Sequence, residues 1–203
     1  MVGHWATSPL GPITDLMWAS PDGERLLVAP SAEVAAFVSA VYGFDRTVVS
    51  PLHAGTDGGR WPSAGVAPTV HSLHVTAPDL GLDLRLEAGA GWRIPFPRPA
   101  WFTRWVEGPV ARALLGVRTY GVSPTGVREW YRTDVYRRVT AGRATVGGRD
   151  LGPLGPVRPA VGFGFSEPPR RPSLVAVRPL LWDPSGALDR LLAASPRPRP
   201  GPG

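Results

Sequence analysis

The sequence predicts a mainly β chain (β-rich α+β): an antiparallel, barrel-like sheet with one to three short helices. Three observations predict it. First, Ser20-Pro21-Asp22-Gly23, Ser123-Pro124-Thr125-Gly126 and Asp183-Pro184-Ser185-Gly186 share one turn chemistry. Pro pre-sets the backbone angle at the second position and the Ser or Asp side chain accepts a bond from the turn backbone, which is the type I signature. Second, residues 80–87 alternate: Leu80, Leu82, Leu84 and Leu86 share one face, and Gly81, Asp83, Arg85 and Glu87 the other. That is a half-buried antiparallel strand, since a strand covered on both faces would not alternate. Third, strand-like runs follow one another across tight turns rather than alternating with helices, which disfavours a parallel α/β sheet.

In chain order, residues 12–19 pair with 24–29 as a first hairpin. A helix follows, capped by Ser31, with an apolar stripe of Val34, Phe37, Val38 and Val41, and Gly43 stops it. Residues 47–52 read as a short strand, 54–68 as a Gly/Pro-rich loop, and 69–76 and 80–87 as the next strands. Residues 92–96 form another short strand, broken by 97–99. Residues 100–115 are helical, with Pro109 opening a second short helix. A longer hairpin pairs 116–122 with 127–140. Residues 142–156 connect to last strands at 158–165 and 174–182, and Ser185 caps a helix carrying Leu188, Leu191 and Leu192. Residues 1–194 are expected to be one domain, and 195–203 a disordered Pro/Arg/Gly tail.

Composition subtracts chemistry. The 203 residues include no Lys, Asn, Gln or Cys, and all 22 basic residues are Arg. GC-rich codons specify the residues that remain, which predicts a high-GC bacterial genome. Without Lys there is no Schiff base and no P-loop lysine; without Cys, no thiol nucleophile and no disulfide. The absence of Cys, of an apolar leader in residues 1–10, and of any apolar run near the ~20 residues that span a bilayer predicts a cytoplasmic protein with no membrane partner. The net charge of +6 suits an anionic partner. No basic run exceeds two residues, at 137–138 and 170–171, and no nucleic-acid motif is present, so nucleic-acid binding is disfavoured.

Several constellations weigh against chemistry. His71 and His74 are three apart on a strand, which sends their rings to opposite faces and away from one metal. Asp79, Asp83 and Glu87 share a face, but Arg85 lies among them as on a solvated charged face. Residues 121–125 lack the last Gly of a nucleophile elbow. Residues 162–167 begin as a dinucleotide loop and end in Glu; their Gly residues suit close packing of large rings. Trp101 and Trp105, one helical turn apart, are read as core residues that plug one end of a barrel.

The densest polar and aromatic run is 128–138. Alternation places Glu129, Tyr131, Thr133, Val135 and Arg137 on one face, and Arg128, Trp130, Arg132, Asp134, Tyr136 and Arg138 on the other. Arg118 and Tyr120 face one of these sets across the hairpin. A wet face of cross-strand ion pairs explains such a pattern. A polar pocket wall explains it as well, and explains why neither face is apolar. In that reading Arg118 and Arg132 take an anionic group, Tyr120, Trp130 and Tyr131 take an apolar body, and Glu129 or Asp134 orients an Arg.

The segments at 116–119 (Gly-Val-Arg-Thr) and 128–131 (Arg-Glu-Trp-Tyr) resemble an uncharacterised family of high-GC bacteria, a resemblance that implies no activity. The strand count is loosely similar to that of lipocalin-like barrels, and Gly3-His4-Trp5 matches their short Gly-x-Trp signature; this resemblance implies a barrel around an apolar ligand and carries over no functional residue.

The expected function is a cytoplasmic binding protein for a small, partly apolar ligand that can carry an anionic group. No cofactor and no metal is expected, and the oligomeric state is open. The alternatives are a metal-independent acid/base enzyme in which Glu129, Asp134 or His71 converge, and a basic interaction protein using the Arg-Pro tail.

Overall fold

A computed structural model gives the fold and describes residues 1–5, 8–56, 70–94, 99–158 and 160–194. The described strands form two sheets rather than one closed barrel. The first runs in the order β1 (Val2–Trp5), β2 (Ile13–Ala19), β3 (Arg25–Ala29), β4 (Arg46–Val49). The β2–β3 hairpin turns as its residues require, with the Gly23 amide donating to the Ser20 carbonyl at 3.0 Å. Ser31 Oγ accepts from the Val34 amide at 3.3 Å and caps α1 (Ala32–Ser39). This helix buries Val34, Phe37 and Val38 and crosses back over the sheet, so β4 pairs with β3 in parallel, the one connection that the turn chemistry does not announce. The helix ends before Gly43, whose amide instead donates to the Phe163 carbonyl at 2.7 Å.

The second sheet is antiparallel. Its path is β10 (Arg149–Asp150), β9 (Arg128–Val146), β7 (Leu82–Arg93), β6 (Ser72–Ala77), β5 (His53–Thr56). Both β8 (Tyr120–Val122) and β11 (Ser173–Trp182) also pair with β9. Three expectations are corrected here. Pro78–Leu80 is a 3-10 turn, so Leu80 lies off the strand it was assigned to and Asp79 shares no strand face with Asp83 and Glu87. Trp92 is not in a separate strand but continues β7, because register shifts at 87–91 carry the ladder past the Ala-Gly-Ala-Gly segment. Gly91 is required there, since a Cβ would meet the Tyr136 carbonyl oxygen. Finally, the described residues of 158–165 form no strand. The Glu167 carboxylate accepts from the Val161 and Gly162 amides at 2.8 and 3.0 Å, so that segment satisfies its backbone without a ladder.

Residues 100–115 are helical as expected: α2 (Ala100–Phe102), a π-helical stretch (Thr103–Glu107), then α3 (Gly108–Leu115) opened by Pro109. The expectation that Trp101 and Trp105 fill a core is overturned, for they are 61% and 66% exposed. The inward row is Thr103, Glu107, Ala111 and Leu115, which leaves both indoles on the opposite, outward side. Asp183 Oδ2 accepts from the Leu188 amide at 2.8 Å at the start of α4 (Ala187–Ala194). Residues 57–69, 95–98 and 195–203, on which the loop, part of two short strands and the tail were read, lie outside the described residues.

The first sheet is covered on both faces. Leu16 and Val28 pack against Ala77 and Leu82 of the second sheet. Ile13, Met17 and Leu27 pack with α1 and with Val127, Phe163 and Leu188. Adjacent residues Leu16 and Met17 therefore enter different cores, which is why β2 does not alternate cleanly. Among the described residues no helix is long and apolar enough to cross a membrane.

Candidate functional site

An open cavity of about 2000 Å³ lies between the two sheets. Leu73, Leu82, Leu84 and Leu86 supply an apolar wall from the second sheet, and Leu16, Met17 and Trp18 line it from the first. Its polar lining includes Tyr42, Tyr131, Arg118, Arg132, Asp134 and Arg178.

The polar centre of this region is a chain of three side chains. Glu129, on β9, is fully buried, and its Oε2 accepts from the Tyr131 hydroxyl at 2.6 Å. The Tyr131 hydroxyl also hydrogen-bonds the Tyr42 hydroxyl. Glu129 Oε1 is buried with no hydrogen-bond partner. Burial pushes the Glu129 carboxyl up to about 7, against the opposing pull of the Tyr131 hydrogen bond. Both phenols are also held above their ordinary value, first by burial, then for Tyr42 by the negative charge of Glu129 and for Tyr131 by Tyr42 before Glu129, so both stay protonated.

Local sequence positions these groups. Glu129 and Tyr131 are two apart on one strand and so share a face. Tyr42 follows α1 in phase with Val38, one turn earlier. The Gly162-Phe163-Gly164-Phe165 segment clasps the tyrosines from the other side: the Phe165 ring lies 5.2 Å from that of Tyr131. Gly164 faces Tyr42, where a Cβ would come within 3.0 Å of the ring, and Gly121 leaves room for Phe165 itself. Gly164 thus serves close ring packing, as expected of this segment, whereas Gly162 supplies a positive φ of 61° with open space around it.

The other residues singled out in 118–134 divide between two places. Arg118, Tyr131, Arg132 and Asp134 line the cavity, with Glu129 immediately behind Tyr131. Tyr120 and Trp130 pair with each other across the hairpin, ring centres 4.9 Å apart, with the Arg104 guanidinium 4.6 Å from the Tyr120 ring. Asp134 does orient an Arg, but one that the sequence did not suggest: it accepts from Arg178 Nε at 2.6 Å and Nη2 at 3.0 Å. Glu129 orients no Arg. Its partner is a tyrosine, because β9 sinks this end of its face under α1 and the 163–165 segment.

The histidines and the remaining acids take separate partners. His74 Nε2 lies 3.1 Å from Asp83 Oδ2, and His71 Nδ1 lies 3.4 Å from Arg137 Nη1. Asp79 accepts from Ser50 Oγ at 2.9 Å. Among the described residues no three His, Asp or Glu side chains gather to hold a metal.

Sequence reasoning missed Asp15 and Tyr42. Asp15 is a second fully buried carboxyl, on β2, whose Oδ1 accepts from the Trp5 indole N–H at 2.9 Å. Its Oδ2 has no hydrogen-bond partner, and burial pushes it up to about 6. The signal was an Asp in phase with Ile13 and Met17, the inward residues of the same strand. No family profile, curated protein or solved structure matches this chain.

Proposed function

We propose that this is a cytoplasmic small-molecule-binding protein that holds a partly apolar ligand with an anionic or carbonyl group in the cleft between its sheets. The observation that carries this reading is the hydroxyl chain from buried Glu129 through Tyr131 to Tyr42 at a cavity that also has a leucine-lined apolar wall. Ligand sites are mostly apolar with a few placed polar groups, and this chain is such a group. The cavity exceeds the roughly 300–1000 Å³ of a drug-sized site, so a ligand fills only part of it, beside the tyrosines.

The chain sets which atom the ligand meets. A hydroxyl both donates and accepts, whereas a carboxylate only accepts. With Glu129 ionised, Tyr131 donates to it, Tyr42 donates to Tyr131, and Tyr42 offers lone pairs to the cavity. With Glu129 protonated, the chain reverses and Tyr42 offers its proton. A carbonyl or anionic group is therefore held best below about pH 7, with Arg118 and Arg132 supplying positive charge. The same arrangement favours, as a second reading, an acid/base enzyme in which Tyr42 relays the Glu129 proton; Asp134 and His71 lie apart from that chain and take no part.

Native mass spectrometry of the purified chain tests the binding reading, together with titration by anilinonaphthalene sulfonate, an anionic apolar probe. The expected result is about one equivalent of retained ligand or bound probe, lost in Ala176→Phe, which places a ring in the cleft. Probe binding that Ala176→Phe leaves unchanged, in a cooperatively folded variant, contradicts it.

A further inference from the structure

The outer face of residues 101–114 gathers five exposed large apolar side chains, Trp101, Trp105, Val106, Val110 and Leu114, that the cavity does not explain. Four-residue spacing arranges its exposed side chains in adjacent rows. One row is Trp101, Trp105, Pro109 and Ala113, and the next is Val106, Val110 and Leu114, the last 77% exposed. Arg104 and Arg112 form the border, and no exposed position of 101–114 carries a carboxylate. Large indoles over an aliphatic ridge with an Arg border make the pattern of a helix that lies in a bilayer interface, where rings sit at headgroup level and guanidinium groups meet lipid phosphates. Lying on a surface needs no spanning helix.

We infer that this face docks the protein on an anionic membrane surface. Charge complementarity selects that occupant: the chain carries +6 overall, so a second copy would bring Arg104 and Arg112 against their own kind. Bases stack on rings but leave an aliphatic ridge uncovered, which disfavours a nucleic acid. The inference is independent of the cleft and of any ligand there.

The test is sedimentation of the full chain with vesicles of phosphatidylcholine alone or mixed with phosphatidylglycerol, read together with indole emission and light scattering. The expected result is binding to the anionic vesicles with a blue shift, weakened by roughly tenfold or more on neutral ones. Leu114→Asp and Val110→Asp, both at exposed positions, abolish binding while the cooperative unfolding transition stays in place. Arg112→Glu weakens it by about fivefold or more. Three outcomes overturn the inference: no binding to anionic vesicles at low salt; binding that both Asp variants leave unchanged; or a concentration-dependent dimer that Leu114→Asp dissociates, which would give the face to a second copy.

Discussion

Among the described residues each sheet buries one carboxyl, and the two differ in the donor they are bonded to. Asp15 on β2 and Glu129 on β9 are both fully buried, each with one side-chain hydrogen bond and one oxygen without a partner, and burial raises both, to about 6 and about 7. The partner of Asp15 is an indole N–H and that of Glu129 a phenol. An indole can only donate, so the Asp15 arrangement ends at Trp5. A phenol donates and accepts, so the Glu129 arrangement continues to Tyr42 and the cavity. A buried, half-satisfied carboxyl is thus a cost to stability in both sheets, but only the Glu129 chain ends at the cavity in a hydroxyl that can both donate and accept.

The largest expected effect lies in the pH dependence of stability. A carboxyl raised in the folded state leaves stability intact below its unfolded value and removes it as pH rises through the folded value. Asp15 therefore costs stability between about pH 4 and 6, and Glu129 between about 4.5 and 7. Glu129→Gln and Asp15→Asn should each raise stability at pH 8 by roughly 2–3 kcal/mol, and by little at pH 4. Urea denaturation at the two pH values measures this; equal gains at both would show that neither carboxyl titrates in the folded protein as described.

Next come the glycines that make room for each carboxyl chain. A Cβ on Gly3 would lie 2.6 Å from Asp15 Oδ1, and one on Gly164 within 3.0 Å of the Tyr42 ring. Gly3→Ala should cost roughly 1–3 kcal/mol, because the carboxyl it displaces has nowhere to go. Gly164→Ala should cost less, since a ring edge can shift, and should perturb probe binding through Tyr42. Thermal unfolding and probe titration separate the two. Tyr131→Phe should then cost about 1 kcal/mol, the worth of one hydrogen bond, while breaking the link from Glu129 to the cavity. The smallest effect is expected for Arg178→Ala. It removes a mostly exposed partner of Asp134 and should change stability by under about 1 kcal/mol in chemical denaturation.

Much of the fold was legible because turn chemistry is local. All three Ser/Asp-Pro-x-Gly segments close the turn they announce, with first-to-fourth residue hydrogen bonds of 3.0, 3.0 and 3.2 Å. The Ser31 cap, the Pro109 restart and the pairing of Tyr120–Val122 with β9 followed from residues a few positions apart. What sequence missed was in part local but unmarked by residue type. Whether 158–165 pairs as a strand was decided by Glu167, which takes two amides that a ladder would use. Trp101 and Trp105 face outward because Thr103 and Glu107, two positions on, take the inward row, and no residue type marks that choice of face. In the candidate site, the run 128–138 was visible as unusual, but its partners Tyr42, Arg178 and Phe165 come from far along the chain. Glu129 was read as the companion of an Arg because charge pairing is the commoner fate of a carboxylate. Its burial under α1 could be known only once α1 had been placed.

The most direct test is the affinity for anilinonaphthalene sulfonate between about pH 6.5 and 8, compared in the parent chain, Glu129→Gln and Asp15→Asn. His4 and the Met1 amine also line the cavity, but burial holds both below their ordinary values, the amine at about 6, so the comparison with Glu129→Gln is what assigns the change to Glu129. The parent and Asp15→Asn should lose affinity as pH rises through about 7, and Glu129→Gln, whose amide imitates the protonated carboxyl, should bind at all pH values as the parent does at the lowest. A flat profile in the parent, or the same fall in Glu129→Gln, would mean that the Glu129–Tyr131–Tyr42 chain does not address the cleft.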